Sequence, residues 1–154
     1  MDSKSIAVRD LQNARHQFLS DLKALPDDAF TKRFGPATRT VADIVYEVNL
    51  VNDHVGIVMR GEEPFEWPEG DWITAPSNFQ TKDEVISGFE KSMDRILETA
   101  ESFSPEEFES PIDNEGKKTN RFERCRFMTV HLWYHSGQLN FIQTLLGDDG
   151  FHWK

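Results

Sequence analysis

The sequence predicts an all-α fold: an antiparallel four-helix bundle with a long loop after its second helix. Two observations carry that expectation. Four segments repeat apolar residues at spacings of three and four, and capping residues or a terminal glycine bracket them. The size agrees: 154 residues, 38% hydrophobic and 29% charged, suit one soluble domain spanning 1–154 with a single core.

The first helix is expected over 4–25, where Val8, Leu11, Ala14, Phe18, Leu22 and Leu25 form one stripe and "PDD" at 26–28 stops it. The second is expected over 39–60. Its buried stripe is Val41, Ile44, Val45, Val48, Val51, Val55 and Val58, and Gly61 follows the last turn. So many valines would suit a strand, but the period is helical and the run is too long for one strand.

Residues 61–80, "GEEPFEWPEGDWITAPSNFQ", read as a functional loop or an aromatic lid. "TKDE" at 81–84 is a capping box opening a helix over 82–102, and "SPEE" at 104–107 repeats that chemistry for one short turn. "SPIDNEGKKT" is expected to be a polar loop. Asn120 and Glu123 then cap the last helix, over 121–146, which ends at Gly147.

The formal net charge of −10 repels phosphate backbones and anionic lipid, which argues against nucleic-acid or membrane partners. A single cysteine, Cys125, permits no internal disulfide, and the chain's opening residues lack a signal-peptide run. The expected location is cytoplasmic. Cys125 falls near the inward face and reads as core packing, Ser136-Gly137 as a point of close helix approach, and Trp133 and Tyr134 as residues for a dimer interface.

The chemistry concentrates in "HLWYHSGQLNFIQTLLG", residues 131–147. His131 and His135 are one turn apart on or beside the stripe of Met128, Leu132, Leu139, Ile142 and Leu146, with Gln138 nearby, so both imidazoles reach one ion. Glu47 flanks the buried stripe of the second helix. A carboxylate there needs a partner, and facing the last helix it completes a His–His–carboxylate set with open positions for water or substrate. The alternatives are an outward Glu47 or one paired with an arginine such as Arg126. His54, one heptad on, is a spare ligand or pocket residue.

Trp67 and Trp72 either roof a substrate pocket beside that centre or plug the bundle end. "KKTNRFERCR" at 117–126 gathers Lys118, Arg121 and Arg124 where the last helix begins, as a solvated face or an anion site.

These segments resemble a known family. The closing helix, and "TVADIVYEV" at 40–48, are similar to the signatures of the DinB/YfiT-like superfamily. The resemblance spans nearly the whole chain in helix order. It implies a four-helix bundle, often dimeric, with a divalent metal, commonly nickel or zinc, between the second and fourth helices. It also implies thiol-dependent transferase or isomerase chemistry on a small-molecule substrate, with a low-molecular-weight thiol activated at the metal. His131 and His135 match the motif directly, whereas Glu47 stands where the family usually has a third histidine. A carboxylate shifts preference toward harder ions such as manganese, iron or zinc. Hydrolysis by the same centre is the second reaction class, and a metal-free binding or stress-response bundle is the rival.

Overall fold

Short polar side chains decide where the helices begin. In the computed structural model, which describes residues 1–153, α1 (Ser3–Ala24) opens on Asp2, whose carboxylate accepts from the Ser5 amide at 2.9 Å. Thr40 and Asp43 form a capping box at α2 (Val41–Arg60), and Gly61 closes that helix at φ 70°. Thr81 and Glu84 do the same for α3 (Lys82–Glu101), as do Ser104 and Glu107 for the single turn of α4 (Pro105–Glu109). Asn120 caps α5 (Arg121–Leu145), and Gly147 follows its end at φ 87°. A short 3-10 turn, Asp27–Ala29, follows α1.

The four long helices close a ring of contacts. α1 packs on α5 and α3, and α2 packs on α3 and α5. Leu11, Phe18, Val45, Phe89, Met128 and Leu132 fill the space between them. The apolar stripe expected on α2 is buried except at Val51, which is half-buried. Loop 61–80 has neither helix nor strand; the Ala75 amide ties it to α2 by donating to Asp43 Oδ1 at 2.9 Å. At its far end the Phe79 ring packs against Tyr46 and into the space above Gly88, where a Cβ would come within 2.4 Å of Phe79 Cε2. Gly88→Ala is therefore expected to push the ring out and destabilise the chain by about 1 kcal/mol despite alanine's better helix propensity, read as a lower urea midpoint.

Two local expectations are corrected. The polar stretch after α4 is a β-hairpin, β1 (Pro111–Asn114) antiparallel to β2 (Lys117–Asn120), with Ile112 opposite Thr119 and Asp113 opposite Lys118. Glu115 and Gly116 both take positive φ, 53° and 80°, the signature of a two-residue turn that matches strand twist. With Ile112 its only large apolar residue, the hairpin lacks the alternation that announces strands. Gly137, for its part, mediates no close approach, since a Cβ there would meet nothing within 4 Å.

Its neighbour Ser136 is buried and donates to the buried carboxylate of Asp21 on α1. Asp21 also accepts from the indole N–H of Trp153 at 2.8 Å, so the segment leading to Trp153 folds back over α1 and α5. Gln143 secures that return by donating to the Gly150 carbonyl at 2.7 Å. Trp133 packs edge-on against Trp153, ring centroids 5.1 Å apart, while Tyr134 is exposed.

Candidate metal centre

α2 and α5 lie side by side, and their facing turns carry Glu47 on one and His131 and His135 on the other. His135 is buried; His131 and Glu47 are half-buried. The two Nε2 atoms are 3.0 Å apart, and Glu47 Oε1 lies 3.7 Å from that of His131 and 3.5 Å from that of His135. Among the described residues this is the one cluster of three such groups arranged as a metal site would need. A tetrahedral ion with ligands at about 2.0–2.1 Å separates neighbouring ligand atoms by roughly 3.3 Å, and an octahedral one by roughly 3.0 Å. The observed separations bracket those values, so the three atoms fit a divalent ion with little movement.

The supporting contacts orient the same atoms. His135 Nδ1 lies 2.7 Å from Gln138 Oε1, a contact that favours the ring proton on Nδ1 and leaves Nε2 for an ion at the centre. His131 is held by packing, its ring stacked on Phe127 at 5.8 Å, and its Nδ1 has no hydrogen-bond partner among the described residues. Glu47 turns Oε1 to the histidines and Oε2 to Arg39, whose Nη2 makes a short charge-assisted bond to it. Interaction with His131 first and His135 second, reinforced by the Arg39 guanidinium, outweighs burial and holds the Glu47 carboxyl well below the usual carboxylate range.

The arginine that meets Glu47 is thus Arg39, not Arg126, which lies beside Asp10 and Phe122. Arg39 precedes the capping Thr40 and falls outside the helical period, so stripe counting passes over it. Its guanidinium is sandwiched against Trp72, 4.9 Å from the ring.

The remaining sequence candidates separate. Trp72 and Gln138 line one cavity together with Arg39. His54 and Trp67 instead pack on each other, with ring centroids 5.1 Å apart and Phe65 alongside. Seven residues of helix put His54 about 10 Å along the axis from Glu47, which accounts for the division. Trp67 borders a different and acidic hollow with Glu62, Glu63 and Glu115.

In the basic segment, Arg121 is spent on structure: it donates to the Met59 carbonyl at 2.9 Å and the Glu107 carbonyl at 2.7 Å, with Phe103 under its guanidinium at 3.9 Å. Lys118 is exposed on β2 opposite Asp113, and Arg124 leans over Phe127. The three therefore do not converge on one point. Cys125 is fully buried, and burial pushes its thiol up to about 12. It is expected to resist alkylation by iodoacetamide at pH 8 in the native state and to react on unfolding, as read by intact mass.

Comparison with known proteins agrees with this fold. Three solved structures share the fold. A DinB-like protein from Bacillus cereus is 15% identical, with a TM-score of 0.71 over 92% of this chain and 91% of its own. A conserved protein from Enterococcus faecalis is 15% identical, with a TM-score of 0.72 over 96% and 99%. A DinB-like protein from Bacillus subtilis is 12% identical, with a TM-score of 0.63 over 94% of each chain. Among curated proteins none matches the chain. The profile of the DinB superfamily matches residues 10–139, a span that includes Glu47, His131 and His135 on their two helices, and the chain belongs to that superfamily.

Proposed function

We propose that the chain is a divalent-metal-dependent enzyme in which Glu47, His131 and His135 hold the ion. The carrying observation is the convergence of three ligand atoms from two helices on one point, with Gln138 and Arg39 behind them. Bound there, a divalent ion would supply Lewis-acid activation of a low-molecular-weight thiol or of water for attack on a small electrophile. Thiol transfer is the first reaction class and hydrolysis the second.

The chain's own residues do the rest. Gln138 orients the His135 ring, Arg39 holds Glu47 Oε2 so that Oε1 faces the histidines, and Trp72 covers the guanidinium from the loop side. Zinc, manganese, iron and nickel all accept such a donor set, with the carboxylate favouring the harder ions. The proposal includes a cytoplasmic homodimer acting on a small-molecule substrate; no helix among the described residues is long and apolar enough to cross a membrane.

One observation favours a second reading, a metal-free bundle with a buried polar network. His131 Nε2–H can donate to His135 Nε2 while Arg39 satisfies Glu47, which closes the network without an ion. Plasma mass spectrometry after dialysis against zinc, manganese and nickel separates the two. Near-stoichiometric metal is expected, and its absence under all three conditions would overturn the enzyme proposal in favour of the network.

A further inference from the structure

The cavity beside the candidate centre has a composition that selects a ligand. It measures about 460 Å³, in the range of small-molecule sites, and is walled mainly by Phe34, Ile44, Trp72, Phe141, Ile142 and Leu145. Among the described residues Arg39 is the only charged one lining it, in a chain whose formal net charge is −10. Three of its lining residues also touch the candidate ligands: Arg39 on Glu47, Gln138 on His135 Nδ1, and Tyr134 edge-on to the His135 ring at 4.9 Å. The cavity therefore lies beside the centre, with these three side chains as the wall between them.

Arg39 has donor capacity left for a ligand. Both of its hydrogen bonds leave from Nη2, to Glu47 and to the Asp43 carbonyl, and its buried Nε has no partner among the described residues. A guanidinium offers five N–H donors in a planar fork suited to a carboxylate, and the Trp72 ring lies over one face of that fork. Gly137, on the α5 wall, leaves the cavity its width, because its missing Cβ would meet nothing within 4 Å.

We infer that this cavity binds the substrate of the proposed enzyme, and that the substrate class is a small molecule with an apolar body and a carboxylate that pairs with Arg39. The inference rests on the proposed function for the word substrate, but the binding itself needs only the chain's own residues. The apolar body lies along Phe141, Ile142 and Leu145, and the carboxylate end is drawn toward Arg39, next to Glu47 and His135. A neutral analogue of the same shape keeps the apolar contact and loses the charge-assisted pair.

The test uses 4-phenylbutyrate and its neutral amide as probes, titrated into the 15N-labelled full chain, once free of metal and once after zinc loading, with mass in solution followed by sedimentation velocity. The expected result is amide shifts centred on Gly137, Phe141 and Leu145, with the carboxylate binding at least tenfold more tightly than the amide. Arg39→Gln should abolish that preference and Arg39→Lys should restore part of it. Gly137→Leu, which adds a good helix former and fills the cavity, should weaken both probes at least tenfold without altering zinc uptake.

Carboxylate preference in a chain that takes up no zinc would retain the binding inference while the enzyme proposal falls. Zinc uptake with equal binding of the two probes, or with binding of neither, would overturn the inference alone. Shifts on α5 that track protein concentration and not probe would also overturn it, because the occupant would then be a second copy of the chain.

Discussion

His135→Ala is expected to lower zinc affinity by more than about 100-fold, beyond what loss of a supporting hydrogen bond does to a metal site. His135 is buried, and its Nε2 is one of three atoms converging on the centre. With it gone, His131 and Glu47 alone cannot set the geometry. Gln138→Ala should act more mildly, about 10–100-fold, because it frees the His135 ring to rotate and change tautomer while leaving all three ligands in place. Glu47→Gln keeps an acceptor for Arg39 but removes the ligand charge, and should fall nearer to His135→Ala than to Gln138→Ala. His135→Gln guards against a packing defect from the smaller side chain. Calorimetric titration with zinc gives all four affinities, and circular dichroism checks that helix content is unchanged. Equal zinc binding by the wild type and His135→Ala would exclude this centre.

Asp21 should make stability depend on pH in the direction opposite to most carboxylates. Burial raises its pKa above the ordinary value of 3.8, and the bonds from Ser136 and Trp153 only partly offset that. A raised folded-state value means that the fold favours the protonated acid. Its contribution is fully present below that ordinary value, declines as pH rises through the raised one, and levels off above it. Asp21→Asn removes that decline while its carbonyl still accepts from Trp153 and its amide can donate to Ser136. The variant's stability relative to wild type should therefore climb from pH 4 upward and plateau, in urea unfolding at a series of pH values. A difference that does not change with pH would refute the assignment. Asp21→Ala should instead destabilise by about 1–3 kcal/mol, leaving the Ser136 hydroxyl and Trp153 indole without their acceptor, and should shift tryptophan emission to the red as the last residues detach.

The helices and their caps were legible because both signals are local. Spacing of three and four marks the buried stripes, and Thr81, Ser104 and Asn120 announce helix starts by bonding backbone three residues away. The histidine pair was equally legible, since one turn of α5 alone brings the two rings together. Glu47 could be suspected from its place beside a buried stripe, because a carboxylate in that position needs a partner.

Other features depended on contacts between distant segments. That Arg39 is the cation on Glu47, that Trp72 joins the site while Trp67 goes with His54, and that Gly137 widens a cavity follow from how loop 61–80 and α5 pack, which no periodicity encodes. The same holds for Asp21 and Ser136, 115 positions apart in sequence and joined across α1 and α5. Sequence by itself determined the helical elements and the pairing of two histidines on one face of the last helix, because each rests on residues within a turn or two of one another. Tertiary structure alone decided which side chains complete the centre and what its cavity can hold, because those contacts form only when the helices and the loop close on a common core.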